Sequence, residues 1–328
     1  MNKIASLSDR ERNELFGETA SLMHTTNAIV EKDFWVVWTL GKLFADERLN
    51  KILMFKGGTS LSKVYDLIGR FSEDIDLVLD WELLTREDPH ASRSKNKQNR
   101  LNTQMNEDAK VYIATELLPI ITEVLAPFCS CTIGSDGFSV HIHYTALFSD
   151  EALRPQILLE IGPLASWSPF ELHTISSFAS QQFPTLFANA SCEVPTIAAQ
   201  RTCWEKATIL HQEANRQKSK KIPPRHSRHY YDLAMMAASE VKDLALGDLA
   251  LLEEVVAFKK RFYSSGWAGY DEIQEGVLKL LPPEFRYKEL KEDYVAMRNM
   301  IFDKYIGFDE IIAILGVLES EIHAKLHA

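Results

Sequence analysis

Cysteine is scarce: the 328-residue chain has only four, Cys129, Cys131, Cys192 and Cys203. So few in so long a chain do not make a disulfide framework, and a reducing cytoplasm is the simplest setting. Cys129-x-Cys131 lacks a second pair at zinc spacing, so it does not read as a metal site. Long apolar runs are missing too. None approaches the roughly 20 residues that cross a bilayer, which argues against a membrane partner. The opening MNKIASLSDRERNELF is too charged for the core of a signal peptide, and Ser8 with Glu11 makes the pattern of a helix capping box instead. No internal repeat or low-complexity tract interrupts the chain.

Positive charge is in deficit: 36 Lys and Arg against 46 Asp and Glu give a net charge of −10. That balance argues against broad, sequence-blind nucleic-acid binding but leaves room for local basic patches. Two exist. Arg216, Lys218, Lys220, Lys221, Arg225 and Arg228 lie between positions 216 and 229 with no acidic residue among them, and Arg93, Lys95, Lys97 and Arg100 form a second group. A hydrophobic content of 46% with 25% charged residues is ordinary for a soluble globular protein, and the length suffices for two domains or one large one.

Strand and helix signals are mixed in the first half of the chain and purely helical in the second. An N-terminal helical pair carries Phe34, Val37, Trp38 and Gly41 at core-facing spacing. A strand over 51–56, a glycine turn, a helix over 59–68 and a strand over 74–80 are expected next. A polar loop over 85–100 then leads to a long helix over 101–126. β segments are expected near 129–133, 138–147 and 155–162, with 170–195 mixed. Helices are expected over 197–215, 227–241, 247–263, 288–301 and 308–326. This order implies a mixed α/β (α+β) domain over residues 1–195 and an α-helical domain over 196–328.

The densest signal is FKGGTSLSKVYDLIGRFSEDIDLV, residues 55–78. Gly57-Gly58-Thr59-Ser60 follows the apolar run Ile52-Leu53-Met54-Phe55 and opens a helix, whose free first N–H groups and positive dipole end suit a phosphate. Thr59 and Ser60 could bind phosphate or cap the helix, two compatible roles. Asp74 and Asp76 alternate with Ile75 and Leu77, so on a strand both carboxylates point the same way, about 6–7 Å apart. Two such acids repel unless a cation joins them. Hard oxygen donors at that spacing suit Mg²⁺, which is held by one or two carboxylates plus substrate phosphates. A phosphate cradle beside a carboxylate pair points to chemistry on a nucleoside triphosphate; the plainer alternative is a solvated strand end. Glu160 interrupts Ile157-Leu158-Leu159 and Ile161, so a buried strand would carry a charge that needs a metal or a partner. It is the candidate third carboxylate, with an outward-facing edge position as the alternative.

These residues resemble the DNA polymerase β-like nucleotidyltransferases, marked by a Gly-Gly/Ser turn followed by a D-x-D strand. Within them, the chain resembles the AbiEii/AbiGii-type toxin family of bacterial toxin–antitoxin and abortive-infection systems. That family shows a GGTSL-like turn, an R-x-S-x-D-h-D tail, and further on a helical lysine and a helical aspartate. Here these are Gly57 to Leu61, then Arg70, Ser72, Asp74 and Asp76, then Lys206 in RTCWEKATILHQE and Asp232 in RHSRHYYDLAMM. The likeness runs from Glu31-Lys32-Asp33 to Asp293-Tyr294-Met297.

The resemblance implies a polymerase β-like nucleotidyltransferase domain with a mixed sheet, followed by a helical domain. It implies Mg²⁺- or Mn²⁺-dependent transfer of NMP from an NTP to an acceptor hydroxyl, with release of pyrophosphate. It also implies a cytoplasmic toxin with an antitoxin encoded separately, and the tRNA 3′ end as acceptor. Asp74, Asp76 and Glu160 would hold the metal, Ser72 would lie near the phosphates, and Lys206 would contact them. By pattern alone, a helical lysine is usually solvated. Asp232, beside Met235 and Met236, needs a partner: Lys206, a basic residue of 225–229, or the substrate. Arg216, Lys220, Lys221, Arg225 and Arg228 would grip the acceptor, or are ordinary surface charges. Two other readings keep the pocket: a protein side chain or small molecule as acceptor, or a non-catalytic nucleotide-binding regulator.

Other features carry plainer expectations. His141-x-His143 reads as polar alternation on a half-exposed strand. Glu31-Lys32-Asp33 reads as surface ion pairing on a helix. Phe285, Tyr287, Tyr294, Met297, Met300 and Phe302 read as helical core.

Overall fold

Strands with one apolar face build a single sheet in the first part of the chain. They are β1 (Leu53–Lys56), β2 (Asp74–Leu79), β3 (Cys129–Ile133), β4 (Ser139–Tyr144), β5 (Ile157–Gly162), β6 (Phe170–Ser176) and β7 (Ser191–Ile197). The seven-stranded order is β3-β4-β5-β2-β1-β7-β6. It is a mixed sheet: β2 runs parallel to β5 and β1 parallel to β7, and the other neighbours are antiparallel. The computed structural model describes residues 1–72, 74–150, 153–302 and 305–327. It forms two compact units, Met1–Val64 with Ser72–Ile197, and Tyr65–Phe71 with Ala198–Ala328. The architecture is the mixed α/β class that the element order implies.

Alternation fixes what each face of the sheet does. Leu53, Phe55, Ile75, Leu77, Leu79, Val140, Ile142, Ile157, Leu159 and Ile161 all enter the main core of the first unit. Phe34, Val37 and Trp38 of the helix Asn27–Ala45 meet them there, as their spacing implies. On the opposite face, Met54, Val78 and Ile197 make a small apolar patch with Ala165 and Trp167. That second face carries Asp74 and Asp76.

Several elements differ from expectation. The helix after the glycine turn is short, Gly57–Lys63, and the chain soon turns through Asp66 at φ 51°, a left-handed conformation that aspartate tolerates better than most residues. Residues 65–71 then belong to the second unit, where Gly69 donates to the Tyr231 hydroxyl at 3.2 Å and Phe71 to the Met300 carbonyl at 2.7 Å. The polar stretch after 85 turns helical at Lys95, because a buried stripe of Leu101, Met105 and Ala109 extends the helix backwards. The stripe continues as Ile113, Leu117, Ile121 and Leu125 through a π turn into the helix Leu118–Leu125.

The largest correction concerns Glu31-Lys32-Asp33. These are not surface ion pairs: their exposures are 1%, 2% and 1%. The helix is buried around most of its circumference, so each charge must meet a polar group of another element. Glu31 accepts the N–H groups of Leu147 at 2.9 Å and Phe148 at 3.2 Å. Lys32 donates to the Arg154 carbonyl at 3.0 Å. Asp33 accepts the Phe178 N–H at 2.6 Å and pairs with Lys63, tying down the helix of the glycine turn.

The described residues of the second unit outside 65–71 are helices and connecting loops. The helices Ala199–Ala214, Arg228–Ala237 and Phe308–Leu326 pack in sequence, with Tyr231 stacked on Tyr294 at 6.2 Å. Tyr294 and Met297 are core as expected, but Phe285 and Phe302 are 44% and 45% exposed. His141 and His143 sit half-buried, bonded to Gln156 at 2.9 Å and Thr132 at 3.1 Å, which suits polar alternation.

His211 joins the helix Ala199–Ala214 to the loops beyond it. Its Nδ1 accepts the Lys279 N–H at 3.0 Å and its Nε2 faces the Gly269 carbonyl at 2.8 Å, an arrangement that needs the neutral ring protonated on Nε2. Burial lowers its pKa from 6.5, and burial likewise lowers those of His226 and His229. As pH falls through about 6.5, the unfolded chain takes up protons that the folded one refuses, so stability falls with pH. The melting temperature should therefore drop between pH 7.5 and 5.5, less steeply in His211→Gln. A flat profile would contradict the buried neutral rings.

Candidate active site

Gly57 is where the backbone turns from β1 into the helix, and two constraints require glycine there. Its φ is +84°, and a Cβ would collide with the Asp76 carboxylate. The turn and the second aspartate are therefore in direct contact. Gly58 follows, half-buried. The Thr59 hydroxyl donates to the Asp74 carbonyl, and the Ser60 hydroxyl to the Gly57 carbonyl at 2.8 Å. Both side chains are buried: the Thr59 hydroxyl ties the turn to β2, that of Ser60 closes the turn on itself, and neither caps the helix, whose N-cap is Lys56 with no side-chain cap bond.

Asp74 and Asp76 share the face of β2 opposite the core, both half-buried. Glu160 stands in register with Asp76 on the parallel neighbour β5, roughly 4.8 Å away at the backbone. Parallel partners in register point to the same side, so three acids occupy one patch of sheet. Glu160 is exposed, contrary to a buried-strand placement, because β5 buries only Ile157, Leu159 and Ile161 on its other face. Nor is it on an edge, since β5 lies between β4 and β2. Ser72 is half-buried in the loop just before the strand.

Among the described residues, no three or more His, Cys, Asp or Glu side chains close into a metal-ligating group. What β2 offers is a pair of hard oxygen donors, with a third in register on β5. That set fits a cation drawing its remaining ligands from water and phosphate, as Mg²⁺ does, and does not fit a closed all-protein cage.

In the second unit, Lys206 and Asp232 meet as one of the expected alternatives implies. Lys206 Nζ lies 2.7 Å from Asp232 Oδ2. The partner that the sequence did not single out is Arg70: its Nε and Nη2 donate to Oδ1 at 2.6 Å and Oδ2 at 2.8 Å. Asp232 is fully buried, Arg70 and Lys206 nearly so. Burial alone would raise the Asp232 carboxyl, but Arg70 and Lys206 overcome it and hold the group well below the usual carboxylate range. Burial lowers Lys206, against the pull of Asp232. Arg70 is legible as a motif residue; its role is not, since 162 positions separate it from Asp232.

The basic segment after Lys206 is sorted by the structure. Arg216 is held by Glu213 through two bonds of 2.6 Å. Lys220, Lys221, Arg225 and Arg228 are exposed. Two residues to which the sequence assigned no role here shape this loop. Arg286 donates to the carbonyls of Gln217 at 2.9 Å, Lys218 at 3.3 Å and also Lys220. Asp293 accepts the Arg225 N–H at 2.7 Å and both the N–H and hydroxyl of Ser227, at 2.8 and 2.6 Å.

A mixed sheet that sets a glycine turn against an Asp-x-Asp strand is the framework of a nucleotidyltransferase. Residues 38–313 match the family described as Nucleotidyl transferase AbiEii toxin, Type IV TA system, and the chain belongs to that family. Among solved structures, it is similar to MenT4, a nucleotidyltransferase toxin from Mycobacterium tuberculosis, with 17% identity over 98% of this chain and 99% of that one, at a TM-score of 0.40. It is also similar to JHP933 from Helicobacter pylori, with 15% identity over 91% of this chain and 93% of that one, at a TM-score of 0.42. No curated protein matches the chain.

Removing one partner from a buried ion pair strands the other, so Asp232→Ala should cost about 3–5 kcal/mol of stability in denaturant titrations. Gly57→Ala should cost less, about 1–2 kcal/mol from left-handed backbone strain, yet abolish most activity by displacing Asp76. Equal stability losses with activity retained in Gly57→Ala would refute the contact between turn and carboxylate.

Proposed function

We propose that the chain transfers NMP from an NTP to the 3′-terminal hydroxyl of tRNA, releasing pyrophosphate, and that this arrests growth when the antitoxin encoded separately is absent. The observation that carries the reading is the patch formed by Asp74, Asp76 and Glu160 on one sheet face, pressed against Gly57. Asp74 and Asp76 would hold Mg²⁺ or Mn²⁺, with Glu160 available as a third ligand or as a base. The cation, when bound, neutralises charge on the triphosphate.

The acceptor hydroxyl oxygen attacks the α-phosphorus; its bond to phosphorus forms as the bond to pyrophosphate breaks. The hydroxyl proton passes to a carboxylate, and Glu160 is suited to take it because it is exposed beside Asp76. Gly57 and Gly58 leave room for the phosphates to approach the backbone, and Ser72 borders them. Lys206, held against Asp232, is the cation assigned to the nucleotide phosphates by its match to the family lysine. Asp232 and Arg70 act as positioning residues that fix its ammonium. Lys220, Lys221, Arg225 and Arg228 meet the acceptor's backbone, contacts that weaken with salt. The cytoplasm, where NTPs and tRNA are found, is the compartment that this reaction requires.

Expression of the parent protein and of Asp76→Ala in growing bacteria, followed by sequencing of tRNA 3′ ends, tests the proposal. Added nucleotides are expected only with the parent, and in vitro the variant should be about 10²–10³-fold slower or worse. Label from NTP appearing on protein instead of RNA would move the acceptor to a side chain. Unaltered toxicity in Asp76→Ala would remove catalysis from the explanation.

A further inference from the structure

The loop between the Lys206 helix and the Asp232 helix is held in one shape, and it presents an aromatic ring among its cations. Arg286, 5% exposed, gathers the carbonyls of Gln217, Lys218 and Lys220. Asp293 takes the backbone N–H groups of Arg225 and Ser227 and the Ser227 hydroxyl. Arg225 stands at φ 59°, a left-handed conformation that its bond to Asp293 helps to hold. A cationic loop of this length would ordinarily move; here both of its ends are pinned by buried or bonded side chains of the helix Glu284–Ala296.

That same helix begins with Phe285, which is 44% exposed. Lys218 Nζ lies 5.5 Å from the centre of its ring and the Arg286 guanidinium carbon 5.3 Å. An exposed large apolar ring is ordinary when it stands alone on a surface. Phe285 is different because it sits beside a segment, 216–229, that has six Lys and Arg residues and no acid. A part-exposed aromatic ring with Lys218 and Arg286 set over it combines the stacking and cationic groups that hold an unpaired base and its phosphates. A duplex offers no free base face to such a ring, so its presence favours a single strand.

We propose that Phe285 is a stacking platform for an unpaired base of single-stranded RNA, with Lys218, Lys220 and Lys221 meeting the phosphates around it. The site rests on RNA being the acceptor, and it adds to that reading the requirement for an unpaired end. Arg286 and Asp293 are positioning residues: they touch no RNA and hold the loop beside the ring.

The test is fluorescence anisotropy with the full chain carrying Asp76→Ala, so that no transfer occurs, against a labelled 12-nucleotide single strand and a blunt RNA duplex. Replacing Phe285 with alanine in that background should weaken single-strand binding about 5- to 150-fold, the effect of losing one base stack, and leave duplex binding unchanged. Phe285→Trp should restore it, which a merely structural role for the side chain would not allow. Equal single-strand affinity in Phe285→Ala, or an equal loss for duplex, overturns the platform and leaves the transferase reading standing. Failure of the Asp76→Ala protein itself to bind either RNA overturns the RNA acceptor and the platform together.

Discussion

Period-two alternation along Asp74–Leu79 is the constraint on which the site depends. Ile75, Leu77 and Leu79 must enter the core, and that requirement turns Asp74 and Asp76 outward together. A register slip of one residue would bury both carboxylates and expose three large apolar side chains. The hydrophobic effect, acting on one face of the strand, thus holds two like charges side by side on the other. At about 1.5–3 kcal/mol for each buried aliphatic side chain, the core supplies ample energy to impose that proximity. The turn at Gly57 is fitted to the result, since only a residue without a Cβ can lie against Asp76.

A second arrangement of the same kind stands in the other unit. Asp232 is surrounded by apolar residues of its helix, yet remains ionised because Arg70 and Lys206 both bond it. Burying three charges is costly, and it contributes little net stability compared with an apolar cluster of the same volume. What it provides is a fixed position: a lysine ammonium near the surface of a helix would otherwise sample many rotamers. Arg70 belongs to the seven-residue segment between the glycine helix and β2, so the chain visits the second unit in the middle of its own signature motif.

Much of this was legible in the sequence because the signals were local. The strand holding Asp74 and Asp76 shows in the alternation of Ile75 and Leu77, the need for Gly57 in a turn after an apolar run, and the terminal helix Phe308–Leu326 in an unbroken apolar periodicity. The illegible parts have partners far away in the chain. Glu31 and Asp33 look like surface charges because the N–H groups they accept belong to residues 147, 148 and 178. Glu160 looked buried because Ile157, Leu158, Leu159 and Ile161 around it are apolar; only the folded strand, buried on alternate residues, shows Glu160 exposed. Arg286 and Asp293 carry no local mark of their role, since what they hold in the loop is mostly backbone, which has no sequence signal.

The most direct measurement is anomalous diffraction from crystals grown with Mn²⁺ and a non-hydrolysable NTP. Expected is an Mn²⁺ peak about 2.1 Å from carboxylate oxygens of both Asp74 and Asp76, with triphosphate oxygens completing its shell. A bound nucleotide whose metal lies away from these two residues would contradict the paired carboxylates as the catalytic centre.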